Sequence, residues 1–150
     1  MDVSASAVLK IVTSVFRDLL GLPVHQAATE TAPPINGRRL VATVFITGDS
    51  ENQVAIEAPK ETAEMIGEVM FEASPGSLDT ADVSDAVGEV VNIIAGSVKD
   101  TCPADLRLSV PEVTCGADDS ADSEHDKSIV LDVAGKRALI RWRDATPAAV

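Results

Sequence analysis

The sequence predicts an α+β fold, a two-layer domain in which helices pack on a mostly antiparallel or mixed β-sheet. Two patterns support this prediction. In three segments the apolar residues recur three or four positions apart, which is the spacing of one helical face. Other segments are short, rich in Val, Ile, Phe and Thr, and bounded by turn residues, as strands are. The order is helix, β-hairpin, two helices and three strands, which suits helices grouped on one face of a sheet.

Turn and cap residues set the limits of these segments. Gly21-Leu22-Pro23 stops the first helix, and Pro59 suits the first turn of the second, whose buried side includes Val69. Asp79 or Thr80 can cap the third helix, which Pro103 ends, and the stretch after the first helix predicts loop or a short edge strand. The predicted helices cover 3–20, 59–73 and 80–99, and the predicted strands cover 40–47, 54–58, 106–113, 128–133 and 137–142.

Composition favours one domain over residues 1–150, because 150 residues with 45% hydrophobic content can build a single core. The net charge of -12 argues against a nucleic-acid partner, and so does an aromatic content of 3%. No apolar run is long enough for a membrane span, and the first residues lack the basic region of a signal peptide. We therefore expect a cytoplasmic protein with no membrane partner.

Several chemically active side chains lack the spacing that a site would need. Cys102 and Cys115 have no CxxC or paired-His spacing, so both are expected in the core and no zinc is predicted. The acidic run 118–126 lacks the glycine and the closing glutamate of a calcium loop, and predicts a solvated turn. His25 and His125 are expected at the surface. No metal site is predicted.

The basic residues form small groups on an acidic chain, Arg38 with Arg39 and Arg141 with Arg143. Because positive charge is not otherwise clustered, all four are expected to be exposed and to aid solubility. The sequence also contains neither a Gly-x-Ser-x-Gly elbow nor a P-loop, so the common nucleophile and phosphate-binding motifs are absent from it.

The third helix has the pattern that points to function. At about 100° per residue, its valines and Ile94 gather on one side, which should face the core. Asp85, Glu89, Asn92 and Gly96 fall within about 60° of one another on the opposite side, pointing at solvent. A glycine inside a helix costs about 1 kcal/mol relative to alanine, so Gly96 suggests that something approaches the backbone closely. We call these four residues the polar stripe.

The segment from Asp85 through Glu89 to Asn92, with a later proline, resembles the D/S-x-x-x-E-x-x-N…P signature of the CheC and CheX chemotaxis phosphatases. The resemblance extends over most of the chain, since a long first helix, a hairpin, two central helices and C-terminal strands entered at Ser109-Val110-Pro111 have the same layout. A single Glu-x-x-Asn copy resembles CheX rather than the duplicated CheC. Pro111 follows Asn92 more closely than in the signature, which leaves the role of this proline open.

The resemblance implies a phosphatase that hydrolyses the aspartyl phosphate of a phosphorylated CheY-like response regulator. Asn92 would orient the attacking water, because an amide both donates and accepts hydrogen bonds. Glu89, one turn earlier, would dock on the regulator's active-site lysine, and Asp85 and Gly96 would add contact surface. The response regulator would supply Mg²⁺, so no cofactor of the protein's own is expected. The resemblance also implies a homodimer.

Other functions would use the same helix. A non-catalytic response-regulator-binding or motility-switch adaptor would dock through the same face and tolerate loss of Asn92 better than an enzyme would. A structural dimerisation domain would instead bury the third helix between two copies. A plain solvated helix face is a further explanation, because Glu and Asn three residues apart are common by chance.

Overall fold

The computed structural model describes residues 3–27, 38–48, 51–102, 105–117 and 126–143, and within them helices pack on one face of an open antiparallel sheet. The predicted α+β fold class is confirmed. The described elements, in chain order, are α1 (Ala5–Val15), a π-helical segment (Phe16–Leu20), β1 (Val24–Gln26), β2 (Arg39–Thr47), β3 (Glu51–Pro59), α2 (Lys60–Met70), α3 (Thr80–Asp100), β4 (Arg107–Leu108), β5 (Glu112–Ala117), β6 (Asp126–Val133) and β7 (Lys136–Arg143).

Local residues set the ends of the helices. Ser4 caps α1, since its Oγ accepts a hydrogen bond from the N–H of Ala7 at 3.1 Å. The first helix changes to π-helical pairing at Phe16 and ends at Gly21, whose φ of 66° lies in the left-handed region that glycine adopts without strain. None of the helices in the described ranges is long and apolar enough to cross a membrane.

The sheet has the strand order β1-β6-β7-β3-β2-β4, and β5 also pairs with β2, with every pair antiparallel. The predicted long hairpin is β2 with β3, in register from Arg39 opposite Pro59 to Thr47 opposite Glu51. The stretch after the first helix was expected to be a loop or a short edge strand. It contains β1, which lies at the edge of the sheet beside β6. The strand predicted over 106–113 is divided into β4 and β5, which occupy the other edge.

The side of the sheet that faces the helices is apolar. The tryptophan Trp142 is fully buried there, and its indole N–H donates to the carbonyl of Val3 at 3.1 Å, which ties the start of the described chain to β7. Thr62 Oγ1 donates to the carbonyl of Arg137 at 2.7 Å and ties α2 to the same strand. The strand residues buried on this side include Leu40, Ala42, Val44, Ile46, Val54, Ile56, Ala58, Leu131, Ala138 and Ile140.

Charged residues are buried on the opposite side of the sheet. Glu57 on β3 is 1% exposed and lies between Arg39 on β2 and Arg141 on β7, each 7% exposed. Its Oε1 is 2.8 Å from Arg39 Nε, and its Oε2 pairs with the Arg141 guanidinium. The expectation that Arg39 and Arg141 are exposed solubilising residues is therefore wrong. The antiparallel register explains the burial, because it places each arginine diagonally opposite Glu57. Arg38 is exposed, as expected, whereas Arg143 is half-buried.

Two other burial predictions are also wrong. Val69 is 36% exposed, because the buried side of α2 is centred between Ala63 and Ile66 and Val69 points about 90° away from it. Cys115 is exposed because it lies on the edge strand β5. Cys102 follows the end of α3, where it is half-buried and packs against the core, so its predicted core position is confirmed in part. His25 is exposed, as predicted. The acidic run from 118 to 125, with His125, lies outside the described residues.

Candidate functional site

The apolar side of α3 holds this helix in place against the sheet and the other helices. Asp79 caps its start by accepting a hydrogen bond from the N–H of Asp82 at 2.8 Å. Lys99 in the last turn complements the helix dipole. Because each fully buried valine contributes about 1.5–3 kcal/mol, α3 is a firm base for outward-facing side chains. Its buried residues are Val83, Ala86, Val87, Gly88, Val90, Val91, Ile94, Ala95 and Val98.

The polar stripe lies on the outer side of α3, but its members differ in exposure. Asp85 and Glu89 are exposed, whereas Asn92 and Gly96 are half-buried, so only the first half of the stripe is as open as expected. Within the described part of the chain, neither the carboxylate of Glu89 nor the amide of Asn92 has a hydrogen-bond or ion-pair partner. Their polar atoms are therefore available to an incoming molecule.

The edge strand of the sheet covers one flank of the stripe. Leu108 on β4 lies over Gly96, where an added Cβ would be 3.8 Å from Leu108 Cδ1. Pro111 lies against Gly88, where an added Cβ would be 3.6 Å from Pro111 Cβ. Asn92 is four residues from each glycine and on the same side of the helix, so the chain between Leu108 and Pro111 runs beside it. This flank explains why Asn92 and Gly96 are half-buried.

The spacing between Asn92 and Pro111 left the role of this proline open, and its contact with Gly88 shows where it lies. It packs on α3 one turn before Asn92, at an edge of the sheet where a proline removes no hydrogen bond from a central ladder. A strand was predicted over 106–113, but its position against α3 beside the polar stripe was not predicted. A proline inside a β-rich run was the available signal, because it marks an edge strand or a bulge.

No group of three or more His, Cys, Asp or Glu residues in the described ranges is arranged to hold a metal ion. The carboxylates of Asp85 and Glu89 stand one turn apart on an open helix face, where Coulomb attraction to a cationic side chain would be their main electrostatic effect. The chemistry that the stripe offers is thus an acceptor carboxylate beside an amide that both donates and accepts.

A separate cavity of about 750 Å³ opens at the start of α3. Its lining includes Arg38, Lys60, Glu64, Asp79 and Cys115, so both signs of charge meet there. At 1.5 Å of rise per residue, Asn92 lies about 20 Å along the helix from Asp79. The cavity is therefore distinct from Asn92, although its lining residue Val83 lies only two residues before Asp85 at the start of the stripe.

Comparison with known proteins identifies the family. Residues 40–134, more than half of the chain, match the family model "Chemotaxis phosphatase CheX". Comparison with curated proteins found no match. Among solved structures, the chain is similar to the chemotaxis protein CheX of Desulfovibrio desulfuricans at 20% identity and a TM-score of 0.72, with 92% of this chain and 96% of that one covered.

Two further solved structures share this fold. CheX of Vibrio vulnificus is 17% identical with a TM-score of 0.74, over 93% of this chain and 94% of that one. CheX of Borrelia burgdorferi, in a complex with CheY, BeF₃ and Mg²⁺, is 19% identical with a TM-score of 0.68, over 91% and 94%. The matched family model spans β2 to β6 and includes α3 with the whole polar stripe. This chain belongs to the CheX family of chemotaxis phosphatases.

Proposed function

We propose that this protein hydrolyses the aspartyl phosphate of a phosphorylated, CheY-like response regulator. One observation carries the proposal. In a chain of the CheX family, Glu89 and Asn92 stand side by side on the outer face of a core-packed helix, and within the described residues neither side chain has a polar partner. A helix face that served only to be solvated would not need an amide at the half-buried position.

The proposed role of Asn92 is to orient the attacking water in line with phosphorus. Catalysis of phosphoryl transfer depends mainly on positioning the reacting groups. Correct orientation of the reactants can lower the activation barrier by about 7–11 kcal/mol. A neutral amide suits this role because it accepts a hydrogen bond from the water and donates one to a phosphoryl oxygen. The buried valines of α3 support the proposal, since they fix the backbone that holds Asn92.

The proposed role of Glu89 is to pair with the regulator's active-site lysine and so fix how the two proteins meet. A carboxylate and an ammonium group form a charge-assisted hydrogen bond, which is about twice as strong as a neutral one. Asp85 and Gly96 complete the proposed contact surface on either side of the pair. The complex of the Borrelia burgdorferi relative with CheY, BeF₃ and Mg²⁺ supports a CheY-like partner. We propose that this partner supplies the Mg²⁺.

The test is the lifetime of the aspartyl phosphate on purified receiver domains, labelled from a small phosphodonor with Mg²⁺ present. Catalytic amounts of this protein should shorten the lifetime, and Asn92→Ala should lose the effect by at least about 100-fold while remaining folded. Ser97→Ala, on the same helix but off the stripe, is the matched control and should keep full activity.

The outcome also separates the enzyme from the adaptor. A wild-type protein that binds a receiver domain and leaves its phosphoryl lifetime unchanged or longer would replace the phosphatase with a binding module. An Asn92→Ala variant with wild-type turnover would remove Asn92 from the mechanism. Response regulators act in the cytoplasm, so the proposed reaction is a cytoplasmic one.

The proposed functional unit is a homodimer, an inference that rests on the resemblance to CheX. The open sheet supports it, because β1 and the β4–β5 strand are edges with unpaired backbone groups in the described structure. Light scattering after size-exclusion chromatography should give twice the mass of the 15.6 kDa chain. A mass of one chain across micromolar concentrations would refute the dimer and leave the phosphatase proposal standing.

A further inference from the structure

The edge strand contains a bulge beside Asn92. Ile46 on β2 lies opposite Leu108, and Thr43 lies opposite Glu112. Between these pairs β2 has two residues, Val44 and Phe45, whereas the edge strand has the three residues 109–111. One extra residue in one strand of an antiparallel pair defines a β-bulge. Bulges re-aim side chains and occur often at sheet edges and next to active sites.

Contacts on both sides hold the bulge in place. Ser109 N–H donates to the carbonyl of Phe45 at 2.9 Å, and Ser109 Oγ accepts from the N–H of Phe45, also at 2.9 Å. In a regular antiparallel ladder, the backbone carbonyl of Ser109 would accept the hydrogen bond from the N–H of Phe45. Here the Ser109 hydroxyl accepts it instead. On the other side, Pro111 has a fixed φ and packs against Gly88. Val110 is therefore held between two anchored residues.

The result is an apolar side chain presented to solvent. Val110 is 82% exposed, more than any other large apolar residue described, the next being Phe71 at 47%. Single exposed apolar residues are common and need no explanation by themselves. Val110 differs because a bulge aims it outward and because Leu108 and Pro111 flank the helix turns on either side of Asn92. Val110 lies within two residues of both of these contacts with α3.

We propose that Val110 is the apolar docking contact of this site, and that it packs against an apolar patch beside the phosphoaspartate pocket of the receiver domain. The inference rests on the proposed function and adds a residue that the polar signature does not contain. Glu89 and Asp85 supply charges whose attraction to a partner is screened by dissolved salt. A valine buried at the interface contributes an apolar contact that salt does not screen. An apolar anchor beside polar groups is the usual anatomy of a specific interface.

The test uses Val110→Thr, which keeps the shape and β-branching but replaces a methyl group with a hydroxyl. With a phosphorylated receiver domain that wild-type protein dephosphorylates, we expect KM to rise about fivefold and kcat to stay within twofold. Val110→Asp should raise KM further. Val69→Thr is the matched control, because it makes the same change at an exposed valine on α2 and should leave both constants unchanged.

A second readout does not require hydrolysis. Binding to the same receiver domain, activated with beryllofluoride and Mg²⁺, should weaken about fivefold in Val110→Thr and remain unchanged in the control Val69→Thr. If wild-type protein binds without hydrolysing, the proposed phosphatase fails and the docking role of Val110 is still measured by this assay. If wild-type protein acts on a receiver domain and Val110→Thr matches it in KM and affinity, only the docking inference fails.

Three remaining outcomes would also overturn the inference. Loss of a dimer in Val110→Thr, seen by light scattering, would assign Val110 to contact between two copies of this chain. Absence of both binding and hydrolysis with every receiver domain tested would remove the proposed function and the docking contact with it. A lowered kcat at unchanged KM would instead assign the bulge to positioning Asn92.

Discussion

Leu108 lies over Gly96 at an ordinary contact distance, since a Cβ added to the glycine would be 3.8 Å from Leu108 Cδ1 and nearer to no other neighbouring atom. The φ of Gly96 is not positive, so neither space nor backbone conformation demands a glycine here. The described fold therefore does not account for this residue, which supports its proposed place in the partner contact.

We predict that Gly96→Ala separates stability from function. The change should raise the free energy of unfolding by about 0.5–1 kcal/mol, because alanine is the better helix former. Turnover of a phosphorylated receiver domain should fall, since the added methyl group stands where the partner approaches. Urea unfolding and the phosphoryl lifetime measure the two effects. Unchanged turnover in a stabilised variant would exclude Gly96 from the contact surface.

Glu89→Gln tests the charge of the proposed docking pair and keeps the size of the side chain. We expect KM for the phosphorylated receiver domain to rise about three- to tenfold, with a smaller rise at high salt, because screening already weakens the pair there. Steady-state assays at 50 mM and 500 mM salt would measure this. Glu61→Gln, an exposed carboxylate in the first turn of α2, is the control. A salt-independent loss of kcat would contradict a docking role.

The sequence predicted α3 and the exposed half of its polar stripe, because both depend on residues close together in the chain, whereas Asn92 and Gly96 are half-buried and not open as expected. Val83, Val87 and Val91 repeat at helical spacing, and this periodicity alone fixes which side Glu89 and Asn92 occupy. Membership of the CheX family and the α+β fold class, both predicted, are confirmed. The fold class followed from the order of the elements rather than from any single residue.

The features that sequence reasoning missed arise between strands that are distant in the chain. The bulge at Val110 exists only as an offset between β2 and the edge strand, so no local pattern contains it. Glu57 is buried because Arg39 and Arg141 flank it on neighbouring strands. Strand pairing sets these contacts, and pairing partners cannot be read from periodicity.

Glu57→Ala should destabilise the domain by about 3–5 kcal/mol, because it removes the carboxylate that offsets two buried guanidinium groups. The single tryptophan, Trp142, is fully buried, so its fluorescence reports urea unfolding. The control is Glu64→Ala, which breaks a 3.7 Å pair with the largely exposed Lys60 and should cost less than about 1 kcal/mol. Equal losses in the two variants would show that the buried pairing contributes no more than a surface one.

The turn between β6 and β7 offers a stabilising change. Ala134 has a φ of 50° and Gly135 a φ of 91°, and two positive values in a two-residue hairpin loop indicate a type I′ turn. Alanine is strained in this region, whereas asparagine tolerates it, and Asn-Gly is the favoured pair. We expect Ala134→Asn to raise the free energy of unfolding by about 0.5–1 kcal/mol. Gly135→Ala should lower it by about 1–2 kcal/mol, since it adds a second strained residue. Urea unfolding monitored by Trp142 fluorescence measures both changes in the free energy of unfolding. A Gly135→Ala variant that is more stable than wild type would contradict the turn type.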